Sequence, residues 1–327
     1  MAIAPAPRGL WLAVVVVTAL NLRPFLTAIG PLAGDISSAT GLDLRAMAWL
    51  TLLPMLLMGL GAWFGPTLQQ RLGVRRVLLG ALALLALGSA LRGWAHSGSV
   101  LIATAALCGL GVAFVQAVFP GIIKLQFAGH VAPVMGLYSA ALMGGGALGA
   151  QLTPLAAQGG HWRSALAWWA VPVLAALALA WRALPKTARK ETAHSGSNPT
   201  RWMLRRPRLW LLMLCFGLVN GGYASVVAWL APFYQSHGWS PAQSGSLVAL
   251  LSIAQAAMAL LLPVLAARQR DRRPWLWLTL ALQAASCRLC CASPVAGRGT
   301  TSLGGSAGLR VGRIVCAHHG GRAGPPA

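Results

Sequence analysis

The chain has 327 residues, 57% hydrophobic and 9% charged, where a soluble domain carries about 25% charged residues. Its 26 lysines and arginines outweigh four acids, Asp35, Asp43, Glu191 and Asp271, for a net charge of +22. The apolar residues recur in runs of about 20, which excludes an ordinary soluble globule and predicts an all-α, polytopic helical membrane protein.

The first apolar run, residues 10–31, reads LWLAVVVVTALNLRPFLTAIGP and is long enough to cross a bilayer as one helix. The start resembles a signal peptide, with Arg8 before an apolar run. The run continues through residues 21–24 without a small-residue cleavage site, so it reads as a retained helix. Near its middle lie Asn21 and Arg23, followed by Pro24. An arginine at that depth costs at least ~2.5 kcal/mol on insertion scales and belongs in a bundle interior or a wet cavity. The competing reading, a side chain snorkelling to a headgroup, is disfavoured because both helix ends are distant. Pro24 removes one backbone donor and frees a carbonyl one turn earlier.

Further spans are expected at about residues 46–65, 77–94, 100–123, 133–157 and 164–181. A polar stretch, residues 182–208, follows as a flexible linker. Spans seven and eight are expected at 209–231 and 245–266, and a ninth begins at Pro274 and fails after about Ser286. Placing the N-terminus in the cytoplasm puts Arg71, Arg75, Arg76, Lys124, the linker bases and Arg268, Arg270, Arg272 and Arg273 on the inner side. Arg45 and Arg163 are left outside, with Arg92 at a helix end. This positive-inside pattern predicts an inner (cytoplasmic) membrane protein with a cytoplasmic N-terminus. It also explains the charge without nucleic acid and makes membrane lipid the neighbour of the bases. Cys108 and Cys215 read as small buried residues. Cys287, Cys290, Cys291 and Cys316, with His318 and His319, imitate a metal site but lack a second paired motif, so no metal is expected.

An internal repeat crosses the linker. Residues 66–76, PTLQQRLGVRR, match residues 263–273, PVLAARQRDRR, at an offset of 197 (263 minus 66). The same offset pairs Gly41 with Gly238, Leu50 with Leu247, and Arg23 with Asn220. Two helical halves related in this way are the signature of one large transporter class. The expected organisation is a complete six-helix half over 1–181, the linker over 182–208, and a partial second half over 209–286. An aberrant, disordered tail over 287–327 completes the chain. The tail contains no apolar run able to span a bilayer, and the repeat calls for three more spans after the ninth. The expectation is that the reading frame is lost near residue 287, with a genuine cytoplasmic tail as the alternative. On that expectation the chain inserts but is a poorly transporting or non-transporting remnant.

These motifs resemble the major facilitator superfamily, whose loop between spans two and three reads G-x-L-a-D-R-x-G-R-R. Here Arg71, Gly73 and Arg75 are kept, while Pro66 and Gln70 replace the first Gly and the Asp. Within it the chain is similar to the cyanate and nitroimidazole permease group, through NLRP (21–24), GLGVAFVQAVFPGIIK (109–124), MGLYSAALMGGGALGA (135–150) and AWLAPFYQSHGWS (228–240). Where that group often has Asn in span four, this chain has Gln116. The resemblance implies a bundle in which spans one, four and seven line a central cavity. It also implies a gating role for the loop residues Arg71, Gly73, Arg75 and Arg76 and their repeat partners Arg268, Arg272 and Arg273.

The residues place Asn21 and Arg23 on span one, Gln116 on span four, Asn220 and Tyr223 one turn apart on span seven, and Gln255 midway along span eight. These six are the candidate substrate-binding residues. For Gln116 and Gln255 an interhelical hydrogen bond is an equal reading, and for Trp229 simple packing or an interfacial anchor is preferred. No carboxylate falls within a span. An arginine without an acid favours an anionic or electron-rich solute: a cyanate-like anion, a small carboxylate or a nitro-substituted heterocycle. The glycines of span five, Gly136, Gly144, Gly145, Gly146 and Gly149, predict close helix contact. The expected function is secondary transport of such a small-molecule substrate by alternating access, by a monomer without cofactor. A membrane-embedded enzyme is disfavoured because histidines and acids avoid the spans.

Overall fold

The computed structural model describes residues 8–158, 161–184 and 206–267. The repeat arginines Arg268, Arg272 and Arg273, most of the linker, the start of the ninth span and the tail from residue 287 lie outside the described residues.

The first apolar run is not one helix. It forms α1, Arg8–Asn21, then α2, Pro24–Thr27, a 3-10 turn Gly30–Leu32, and α3, Ala33–Thr40. Pro24 is the physical reason. It lacks an N–H and sits at the first position of α2, with Arg23 as the flanking residue. The ladder tightens around it: Leu22 donates to Ala19, three residues back, at 3.1 Å, and Ile29 donates to Leu26 at 3.4 Å. The chain from Arg8 to Thr40 remains apolar enough to cross a membrane.

The other long helices are α4, Leu44–Leu72; α5, Val74–Leu91; α6, Gly98–Gln126; and α7, Val131–Ala156. The sixth expected span is also divided, into α8, Trp162–Ala167, and α9, Ala170–Ala183, with Trp168 and Trp169 between them. Beyond the linker come α10, Pro207–Gln235, and α11, Pro241–Ala267. Seven segments among the described residues are long and apolar enough to span a bilayer. Several helices exceed their expected lengths by a turn, because amphipathic ends such as QQRL in α4 continue the helix past the apolar run.

Small residues set the packing. Gly109 of α6 meets Pro54 of α4, and Gly61 and Gly65 of α4 meet Ala113 and Ala117 of α6. This four-residue spacing brings two backbones close, as membrane helices require in the absence of a hydrophobic driving force. The opposite side of α6 packs on α5, with Gly111 against Leu85 and Cys108 against Gly88. On α7, a side chain at Gly145 would run into the carbonyl of Leu20, and one at Gly149 would come within 2.6 Å of Pro24 Cα and Thr27 Oγ1. Thus the glycine face of α7 is fitted to the break in span one. The contacts described here lie within the unit Met1–Pro263.

The repeat offset of 197 (263 minus 66) is matched by local backbone. Gly41 and Gly238 both have positive φ, 69° and 89°, where a side chain would be strained. Two residues later, Asp43 caps α4 by accepting from Ala46 N at 2.8 Å. Its counterpart Ser240 precedes α11 in a capping box with Gln243, at 3.0 and 3.2 Å.

Gly149→Val should lower stability by about 1–3 kcal/mol, because the added atoms overlap Pro24 and Thr27. Gly80→Ala, with no atom within 4 Å, should raise it by roughly 0.5–1 kcal/mol. Thermal unfolding of the two variants in detergent checks both, and equal midpoints would remove the proposed fit of α7 to span one.

Candidate functional site

The break in span one exposes backbone groups in an apolar interior, and side chains from several helices meet them. Pro24 supplies no donor to Leu20, whose carbonyl lies directly against Gly145. The Phe25 carbonyl lacks its helical partner because Ile29 bonds to Leu26, and Arg92 Nη1 donates to it at 2.9 Å. The Pro31 carbonyl accepts from Gln235 Nε2 of α10 at 2.8 Å. An unmet carbonyl in hydrocarbon costs several kcal/mol, so the hydrogen bonds from Arg92 and Gln235 are a condition of the break.

Arg23 stands at the break, half-buried, between α1 and α2. Its guanidinium lies over the ring of Tyr223, with Cζ 4.8 Å from the centroid. The only described carboxylates, Asp35 and Asp43, are both exposed. Arg23 therefore has a ring and no acid for a counter-group among the described residues. A stacked ring covers one face of the guanidinium and leaves the in-plane N–H donors free. The Tyr223 hydroxyl is buried without a hydrogen-bond partner. On the α7 side, a position just off Gly146 lies 3.5 Å from both Arg23 Cβ and Ser252 Oγ of α11. Ser252 is buried and donates to the Val248 carbonyl at 2.9 Å, leaving its lone pairs unused. Tyr138 of α7, within electrostatic reach of Arg23, stacks on Phe119 at 5.5 Å.

The other expected site residues are placed differently. Asn21 is 5% exposed and donates to Val17 O at 2.7 Å and Pro172 O at 3.2 Å, so its amide ties α1 to α9. The repeat set Arg23 opposite Asn220. The structure stacks Arg23 on Tyr223, one turn further along α10, and Asn220 is half-buried. Gln255 is half-buried on α11, one turn beyond Ser252, and its Oε1 is buried without a partner. Gln116 is half-buried on α6, and no hydrogen bond joins it to Arg23 among the described residues. Of the loop motif, Gly73 ends α4 with φ 81°, and Arg75 stacks on Trp181 at 5.2 Å. Arg71 lies in the last turn of α4, and Arg76 is exposed on α5.

Sequence reasoning missed Arg92, Gln235 and Ser252. Arg92 is 1% exposed, yet only Nη1 is bonded; Nε and Nη2 have no partner. Gln235 joins span one to α10 and also donates to Ser244 Oγ of α11 at 2.9 Å. Beside it Gly30 packs on the Val227 carbonyl, which an added Cβ would approach to 3.2 Å. A cavity of about 290 Å3 opens next to this contact, lined by Ile29, Met47, Thr51, Trp229 and Gln235 among others. Arg23 does not line it. Spans one and seven are thus closed on each other at the α3 end, with Arg23 deeper in the bundle.

The sequence profile of the Major Facilitator Superfamily matches residues 13–315. The chain belongs to the major facilitator superfamily. Its relatives in the superfamily include the cyanate transport protein CynX of Escherichia coli strain K12, 43% identical over 273 residues, or 83% of this chain and 70% of the relative. The 2-nitroimidazole transporter of the same organism is 34% identical over 270 residues, covering 81% of this chain and 68% of the relative. The fold is that of a D-xylose-proton symporter crystal structure, with a TM-score of 0.62 at 15% identity, over 81% of this chain and 70% of that one. Superfamily membership makes the chain an integral membrane protein, and its homologues are transporters of small solutes.

A double-mutant cycle on thermal stability with Arg23→Met and Tyr223→Leu should give a coupling of about 0.5–2 kcal/mol. Tyr223→Phe should keep most of it, since the ring face carries the attraction. Additive effects of the two single changes would show that the stacked pair does not form.

Proposed function

We propose that the chain is a secondary transporter carrying a small anionic or electron-rich polar solute by alternating access, with Arg23 as the main substrate contact. The observation that carries this reading is the half-buried Arg23, its guanidinium stacked 4.8 Å from the Tyr223 ring centroid without a carboxylate partner among the described residues. Its free planar donors match a carboxylate, a nitro group or a cyanate oxygen. Two relatives are named for cyanate and for 2-nitroimidazole transport, and both solutes are compact and electron-rich. Tyr223, Ser252 and Gln255 complete the proposed lining, with Asn220 and Gln116 as further candidates. Transport rather than catalysis is supported by the titratable groups, since His96, His130, His161 and His237 are all exposed at helix ends or loops. The protein is proposed to work as a monomer in the inner membrane.

The distribution of bases supports a cytoplasmic N-terminus. Arg71, Arg75, Arg76 and Lys124 then gather at the inner side. In that orientation the α3 end faces outward, and the Gln235 to Pro31 contact closes the outer mouth. Opening toward the outside would require Gln235 to release Pro31, while its bond to Ser244 lies within the second half.

Proteoliposomes holding the chain should take up labelled cyanate, 2-nitroimidazole or a small carboxylate. Arg23→Ala should reduce that uptake roughly ten- to hundredfold, the loss expected for a charge-assisted hydrogen bond. Unchanged uptake by the variant would overturn the role of Arg23; failure of the parent with solutes that a full-length relative takes up would favour the non-transporting remnant, and failure of both would count against the substrate class.

Orientation is tested separately in a cysteine-free background. A cysteine replacing His96 should react with an impermeant reagent on intact cells, whereas one replacing Gly129 should not; the reverse pattern would invert the topology.

A further inference from the structure

Among the bases left on the outer side by the charge pattern are Arg92 and Arg163. Arg92 is absorbed by the Phe25 carbonyl. Arg163 is not absorbed by the transport site. It sits at the start of α8, where Nε donates to the Ala95 carbonyl at 2.9 Å and the guanidinium stacks on Trp162 at 4.6 Å. These contacts fix the group and leave its Nη donors without a protein partner among the described residues. A notch of about 400 Å3 opens beside it, lined by Ala90, Gly93, Trp94, His161, Arg163 and Ser164, with Ala167. No carboxylate lines it among the described residues.

The position of the notch decides what it can hold. One apolar segment ends at Trp94 and another begins at Trp162, so the notch lies at the boundary of the hydrocarbon. Trp94 is 70% exposed and Trp168, next to Ala167, is 56% exposed. Tryptophans at the end of a span seek the headgroup level. Below the notch, Leu87 and Leu91 of α5 and Val171 and Leu174 of α9 are exposed on two helices that pack together. The surface therefore reads, from boundary inward, as a fixed cation and an imidazole, then aromatic rings, then an apolar track. Water-soluble anions match only the first part of that sequence. A phospholipid matches all of it.

We propose that this notch is a binding site for one phospholipid, with the headgroup phosphate on Arg163 and His161 and an acyl chain along the α5 and α9 track. The phosphate is fixed by the Nη donors of Arg163, in the planar geometry that suits a phosphate oxygen pair. Trp94 covers the glycerol region. The site is separate from Arg23 and does not depend on the transported solute.

Native mass spectrometry of the purified chain tests it, with phosphatidylglycerol, a diacylglycerol of the same acyl chains and inorganic phosphate as probes. The chain should retain one phosphatidylglycerol, and the diacylglycerol should bind at least roughly fivefold more weakly, since it lacks the phosphate that a basic residue attracts. Arg163→Gln should weaken phosphatidylglycerol to a similar extent. If Arg163→Gln does not fold, the Trp94→Ala and His161→Ala double variant, which changes only exposed side chains, reads the same loss. Retention unchanged in the folded variants, or equal retention of the diacylglycerol, would overturn the site. Displacement of the lipid by inorganic phosphate would show that the notch binds an anion and not a lipid.

Discussion

A helix broken inside a membrane must have its freed carbonyls covered, and most of the contacts around span one follow from that constraint. Pro24 cannot donate to Leu20, and the tightened turns that follow leave Phe25 without its usual helical donor. Two side chains and one close backbone contact answer the break. Arg92 donates to Phe25 and Gln235 to Pro31, while Gly145 lets α7 pack against Leu20 without a hydrogen bond to it among the described residues. Each answer comes from a different helix, so the break is also the point where the bundle is tied together. Gly149, packed on Pro24 and Thr27, belongs to the same fit.

The break also explains how a charge is held at depth. A guanidinium in hydrocarbon is costly by at least ~2.5 kcal/mol. A ring face offsets about 0.5–2 kcal/mol of that, and an anionic solute would supply more. Arg23 stacked on Tyr223 is thus oriented but not neutralised. Arg92 shows the contrasting case: it is buried to 1% exposure, bonded to a carbonyl, and enclosed by packed side chains. One arginine is used to shape the protein and the other is left available to a ligand.

Much of the fold was legible. The apolar runs place the helices, and the repeat pairs Gly41 with Gly238, which the structure shows both at positive φ; the caps at Asp43 and Ser240, two residues on, were seen only in the structure. What was not legible has common physical causes. Whether Pro24 bends a helix or ends it depends on whether other helices can satisfy the freed carbonyls, which is a tertiary property. The depth of Arg92 was hidden because a helix end reads as exposed unless the neighbouring elements are known. Asn21 reads as a cavity amide from its span position, but its rotation about α1 directs it to Pro172. Pairing by repeat offset sets Arg23 opposite Asn220, and it carried no signal for the ring contact with Tyr223, which depends on side-chain reach. Gln235 and Ser252 carry no sequence signal beyond polarity on an apolar helix.

The central claim is that the planar donors of Arg23, held at the break and stacked on Tyr223, bind an electron-rich solute. Calorimetric titration of cyanate into the purified chain and into its Arg23→Lys variant tests this most directly, because lysine keeps the charge and loses the fork. The account predicts affinity at least about tenfold weaker in the variant. Equal affinity in the two proteins would contradict it.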